Sequence, residues 1–275
     1  MACAAVSSVQ QQNIGRQRNT MTEDAVKSDS PYSPHFTFKT FATGADPDNE
    51  ERMFALRYQV YCLERSFLPS EDYPNGLERD IYDAYSTHIA AYSLTDMLVG
   101  GLRLVTPADG ELFPFQAHCA DLFANRTQPP NHECAEISRL VISKLYRRRA
   151  GDTMFGVPSQ LMDDTPLPPN AFDRRKSQRG ESDRRKLQPE ILLGLLRQVY
   201  RHCKLHDIGY WYMAMEKSLT RLLERMFYFS VEHIGEQVDY YGPVTPCILS
   251  MEHFDHALSR GDPILFAWFQ DSLED

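Results

Sequence analysis

Charged side chains stand inside runs that otherwise read as buried strands or helix faces. Gly101-Leu102-Arg103-Leu104 lies in one strand-like run and Glu136-Ile137-Ser138-Arg139-Leu140 in another, while Leu56-Arg57-Tyr58-Gln59-Val60-Tyr61 lies in a helical pattern. A lone charge in such surroundings is strongly destabilising, so the fold must bring these arginines to carboxylates. The nearest supply is Glu78-Arg79-Asp80-Ile81-Tyr82-Asp83, together with Glu136. Three arginines and four carboxylates in or beside such elements can neutralise one another. On the residues alone a structural ion-pair network is favoured over a functional site.

Hydrophobic periodicity supplies the frame. Residues 1–34 are polar and aperiodic and read as a disordered N-terminal tail. His35 to Phe41 alternates like a strand. Asp48-Asn49 can cap a following helix in which Met53, Leu56, Val60 and Leu63 recur at helical spacing. Thr87–Leu94 and Leu98–Val105 form a hairpin, and Cys134–Ile142 a third run. A basic, proline-rich insertion at about 151–189 interrupts the pattern. A helix from Ile191 to Tyr200, a strand Gly209–Met215, a helix Leu219–Phe227 and strands Phe229–Ile234 and Val244–Leu249 follow. This order predicts one α/β domain over 35–260, a mixed central sheet with helices on both faces, and a C-terminal extension over 261–275.

The net charge of −9 argues against a general nucleic-acid binder. Charge is unevenly spread: residues 144–186 carry eleven Lys or Arg against six acidic residues. That basic island could dock an acidic partner or be a solvated loop. Six cysteines show no CxxC pair, which fits reduced thiols and a cytoplasmic location. No run reaches the roughly 18 apolar residues of a membrane span, and no secretory signal is visible.

Arg57-x-x-Val60-Tyr61, Phe67 ten positions after that arginine, Glu78-x-Asp80-x-x-Asp83, Leu102-Arg103-Leu104 and Glu136-x-x-Arg139 resemble, in order, the signature of acyl-homoserine-lactone (autoinducer) synthases. The set is still more similar to their relatives, the N-acyl amino acid synthases and the PEP-CTERM/exosortase-associated acyltransferases, all of GNAT-like fold. Tyr240-Tyr241-Gly242-Pro243 resembles the C-terminal strands of the N-acyl amino acid synthases. The resemblance implies an enzyme that moves a medium or long fatty acyl group from a thioester to the amine of an amino acid or similar small acceptor. It implies that Arg57, Tyr61 and Phe67 belong to a lobe closing over the acceptor. Asp80 and Asp83 would position that lobe or the acceptor's ammonium, with Arg103 as partner, and Glu136 and Arg139 would lie near the thioester. Tyr61 and Phe67 stand where the lactone synthases commonly carry Phe and Trp, which points away from S-adenosylmethionine. A homoserine-lactone synthase using that acceptor and a non-catalytic acyl-carrier-binding module are the alternatives.

The chemistry asks for a base that takes a proton from an ammonium; Glu136 is the first candidate and Asp80 the second. Glu136 and Arg139 are three apart, so a regular strand puts them on opposite faces, and a β-bulge between them would bring both to one side. After this strand, Arg147, Arg148 and Arg149 precede a single glycine rather than a glycine-rich pyrophosphate loop. The donor is therefore expected to be acyl-phosphopantetheine on an acyl carrier protein, docked by those arginines, with acyl-CoA second. No tightly bound cofactor and no metal are expected. His202 and His206 share a helix face but lack the glutamate of a zinc-protease motif. Trp211, Tyr212, Met213 and Met215 suit a core strand or the wall of an acyl tunnel equally.

Overall fold

The computed structural model describes residues 32, 35–108, 110–119, 122–124, 126–146 and 190–271. Apart from Tyr32, the tail lies outside the described residues, as do the insertion and Arg147–Arg149.

Among the described residues eight strands form one mixed sheet in the order β1-β2-β3-β4-β5-β8-β6, with β7 paired to β8. They are β1 (Phe36–Ala42), β2 (Ser86–Ser93), β3 (Leu98–Val105), β4 (Cys134–Ile142), β5 (Tyr210–Met215), β6 (Glu232–His233), β7 (Val238–Asp239) and β8 (Pro243–Ser250). Among the described residues five α-helices accompany them: α1 (Pro47–Tyr58), α2 (Glu190–Leu205), α3 (Lys217–Phe227), α4 (Met251–Gly261) and α5 (Pro263–Gln270). Antiparallel pairing runs from β1 through β4, and β4 then pairs parallel with β5. The expected α/β architecture is thus the observed one.

Two adjacent glycines show how the layers meet. A Cβ on Gly101 would lie 2.5 Å from Met53 Sδ of α1, whereas one on Gly100 would lie 3.0 Å from Ile191 of α2. Neighbouring strand residues point to opposite faces, so α1 and α2 cover opposite sides of β3. Covered twice, β2 and β3 are buried over almost their whole length, which is why they carry Ile, Ala, Tyr, Val, Leu and Gly without polar alternation.

Several boundaries differ from the sequence expectation. The cap of α1 is Asp46, whose carboxylate accepts from Asn49 N–H at 3.3 Å, because Pro47 suits the first helical turn. After Tyr58 the chain continues as a π-helical turn over Gln59–Glu64. The wider turn rotates later side chains off the helix's apolar stripe, and Leu63, expected on the core face, is 60% exposed. Only Glu232–His233 of the expected strand Phe229–Ile234 pairs; Phe229 instead fills the core beside Phe254, Trp211 and Phe227. The C-terminal extension holds α5, which starts at Pro263 under an Asp262 cap and buries Leu265, Trp268 and Phe269. Among the described residues no helix is long and apolar enough to cross a membrane.

The sheet opens between β4 and β5. Their pairing covers only Cys134–Glu136 against Tyr210–Tyr212, although both strands run on. On its other edge β4 pairs Ser138 with Arg103 and Val141 with Gly101, so Arg139 and Leu140 together oppose Leu102. This is a β-bulge, with Arg139 in the left-handed region at φ 53°. The bulge bends β4, and a gap widens beside β5.

Candidate functional site

A cavity occupies that gap, about 920 Å³ of space that includes the open solvent at its mouth. One end is polar and aromatic, lined by Glu136, Arg139, Tyr61, Tyr240 and Tyr241. The other is apolar, lined by Leu192 and Leu196 of α2 with Met213, Met215, Leu219 and Leu223.

Behind the polar end lies a buried ion network. Arg57 bonds Glu78 through Nε and both Asp83 oxygens through Nη1 and Nη2, at 2.7 and 3.1 Å. Arg103 reaches Asp80 at 2.5 Å, Asp83 at 3.0 Å and Ser138 Oγ at 3.1 Å. Arg139 donates to Glu78 at 3.2 Å through Nε and to Asp80 at 2.9 Å through Nη2. Three arginines thus meet three carboxylates, and the network closes at zero charge. It ties α1, the 79–83 turn, β3 and β4 together. The turn itself is set by a reciprocal cap: Asp80 N–H donates to Asp83 Oδ2 at 2.8 Å and Tyr82 N–H to Asp80 Oδ1 at 2.9 Å.

The two candidate bases sit in opposite environments. Burial opposes ionising Asp80, but the charge and hydrogen bond of Arg103 and the charge of Arg139 outweigh it and hold the carboxyl below its ordinary value. Asp83 is likewise held well down, its burial outweighed by Arg57 and Arg103. Glu136 stays outside the network. Its carboxylate accepts one hydrogen bond, from Phe115 N–H at 3.0 Å. Burial dominates over that bond and over the more distant Arg103 and Arg139, pushing the carboxyl up to about 8. A carboxyl so poised can exchange a proton near neutral pH.

The structure brings Glu136, Arg139, Tyr61 and Phe67 to the cavity wall. Tyr61 belongs to the π turn, a kind of irregularity common at functional sites. Arg139, turned by the bulge, lies over the rings of Tyr241 and Tyr61, 5.0 and 5.5 Å from their centroids. Arg57, Asp83 and Arg103 do not line the cavity; all are buried in the network, and Asp80 is at its edge. Sequence reasoning passed over Tyr240 and Tyr241 as site residues. The 240–242 turn carries them over Arg139, with Tyr241 at φ 57° and Gly242 at φ 112°. His118 stacks on Tyr240, ring centroids 4.0 Å apart. The Tyr-Tyr-Gly-Pro run was the available signal, since glycine tolerates that backbone. Phe115 was invisible as a partner of Glu136, because its contribution is a backbone N–H.

Residues 56–156 match the model of an acetyltransferase (GNAT) domain. No curated protein sequence matches the chain. Among solved structures, the chain is similar to TofI in a ternary complex with an inhibitor and MTA, at TM-score 0.53 and 16% identity, covering 83% of this chain and 99% of that one. It is also similar to BjaI, a CoA-dependent acyl-homoserine lactone synthase with SAM and isopentyl-CoA, at TM-score 0.51 and 19% identity, covering 82% and 89%. FeeM, an N-acyl amino acid synthase from uncultured soil microbes, superposes more loosely, at TM-score 0.41 and 12% identity over 82% and 96%. The GNAT segment and the opened β4–β5 sheet together give this chain a GNAT-like acyltransferase fold, shared with acyl-homoserine lactone synthases.

Proposed function

We propose that the protein is an N-acyltransferase joining a medium or long fatty acyl group to the amine of an amino acid or similar small acceptor. The observation that carries this reading is one continuous cavity with a proton-exchanging carboxyl, Glu136, at its polar end and a leucine- and methionine-lined pocket at the other. An acyl chain fits the apolar end, where burying it is favourable by about 0.8 kcal/mol per methylene. The thioester carbonyl then lies beside the bulge of β4.

Glu136 takes a proton from the acceptor's ammonium. The freed nitrogen attacks the thioester carbonyl, and backbone N–H groups at the bulge stabilise the negative oxygen that forms. When the C–S bond breaks, the thiolate leaves with the second nitrogen proton, and Glu136 returns its own proton to water. Asp80 fits the role of base less well, since two arginines stabilise its ionised form. The ion network holds the lobe carrying Tyr61 and Phe67 against the sheet.

The donor in this reading is an acyl thioester of phosphopantetheine. The basic run at Arg147–Arg149 favours a carrier-borne donor, whereas BjaI is named as CoA-dependent. A second reading is a homoserine-lactone synthase, favoured by the fold shared with BjaI, whose structure contains SAM. Mass spectrometry of lipid extracts from a bacterial host expressing the parent or Glu136→Gln separates them. N-acyl amino acids made only by the parent support the first reading, acyl homoserine lactones the second. Equal product from both proteins would remove Glu136 as the base. With purified substrates, kcat/KM should rise with pH up to about 8 as Glu136 ionises. A profile flat between pH 6 and 9 would contradict the assignment.

A further inference from the structure

One wall of the apolar end of the cavity is a helix seated on the sheet through a glycine. Leu192 and Leu196 of α2 line the cavity and stand one helical turn apart. At about 100° per residue, Gly194 points about 180° away from the mean direction of that pair. There the helix meets Phe38 of β1, and a Cβ on Gly194 would fall 1.9 Å from Phe38 Cζ and 2.4 Å from Cε2. A methyl group there requires either α2 or the partly buried Phe38 ring to shift. On its sheet side α2 is seated just as closely, since Ile191 Cγ2 lies 3.0 Å from where a Gly100 Cβ would be. Leu219 and Leu223 of α3 line the same cavity. A displacement of α2 away from Phe38 therefore carries Leu192 and Leu196 in the direction they point, into the cavity, and shortens it.

We propose that the Gly194–Phe38 contact is a stop that fixes the depth of the acyl cavity, making Gly194 a positioning residue for acyl chain-length selection. The idea rests on the reading that this cavity receives the acyl chain. Gly194 never touches the substrate; it acts by letting α2 lie as close to β1 as a bare backbone allows. Leu192 and Leu196 then measure the chain.

The test uses full-length protein and S-alkyl pantetheine thioethers with chains of six to sixteen carbons, which bind as donor mimics but cannot transfer. In the parent, the dissociation constant should fall about fourfold per added carbon until the chain fills the cavity, then level off. Gly194→Ala should move that plateau to a chain shorter by two or more carbons, leaving six-carbon affinity within about twofold. The double variant Phe38→Ala/Gly194→Ala removes the obstructing ring and should return the plateau toward the parent's. Leu196→Phe fills the cavity without touching the stop and should shorten the plateau as well. If Leu196→Phe shortens it and a folded Gly194→Ala does not, the stop is refuted and the acyl cavity stands. If the parent shows no dependence on chain length, or Leu196→Phe leaves the plateau unmoved, the acyl reading of the cavity fails instead. Should Gly194→Ala not fold, an unmoved plateau in Phe38→Leu, where the smaller side chain should let α2 retreat and lengthen the preferred chain, would overturn the proposal.

Discussion

Glu136 and Asp80 show how burial and pairing push carboxyl groups in opposite directions. Glu136 carries a folded-state value near 8 against an unfolded carboxyl value near 4.3, so its proton is held more tightly when folded. The sign follows directly: this contribution is fully present below the unfolded value and is lost as pH rises through 8. The melting temperature of the parent should therefore fall more between pH 5 and 8.5 than that of Glu136→Gln, by calorimetry at matched ionic strength. Parallel curves would mean that Glu136 is hydrated rather than buried. Arg103 is buried among Asp80, Asp83 and Ser138. Removing it leaves two carboxylates short of a cation, so Arg103→Ala should cost about 3–5 kcal/mol in urea unfolding. A loss under 1 kcal/mol would show that the network relaxes around the gap. The requirement for pairing was legible in the sequence, because arginine inside an apolar strand admits no other solution. Which carboxylate stays unpaired was not legible: four stood within reach, and only the folded geometry leaves Glu136 aside.

At the scale of elements, β3 and β4 do most to build the site. The β3 glycines let α1 and α2 sit close on its two faces, and the bulge of β4 opens the sheet at Arg139. In Gly101→Ala the new methyl meets Met53 Sδ at 2.5 Å and the Ile89 carbonyl oxygen at 2.9 Å. The thioether end of Met53 can swing aside, but the carbonyl belongs to the sheet and cannot. This substitution should cost about 1–3 kcal/mol and lower the urea midpoint without changing the m-value. An unchanged midpoint would place α1 farther from β3 than the contacts indicate. Strands and helices were readable from periodicity over most of the described chain, since a buried hairpin and an amphipathic helix such as α2 write their burial into the residue order. The π turn after Tyr58 and the unpaired course of Phe229 were not. Both depend on where neighbouring elements place their side chains, and a local pattern carries no record of that.

Over the whole molecule, the ion network couples segments far apart in the chain, from Arg57 on α1 to Arg139 on β4. Asp80 and Asp83 are held below their ordinary values, so the stability they contribute is present above about pH 4 and is lost as pH falls through their folded-state values. Acid titration followed by circular dichroism should show cooperative unfolding below pH 4, with the polar end of the cavity lost together with the sheet. Loss of binding at a pH where the sheet remains intact would uncouple the site from the fold. The sequence by itself determined the element types and the need to gather three arginines with carboxylates, because burial patterns and uncompensated charge are local demands; the GNAT-like framework it gave only through the resemblance of its motifs to a known family. The tertiary structure alone decided that Glu136 is the carboxyl left unpaired, that Tyr240 and Tyr241 close over Arg139, and that the cavity lies where β4 and β5 part. Those outcomes depend on distances between residues remote in the chain, and distance is what folding adds to sequence.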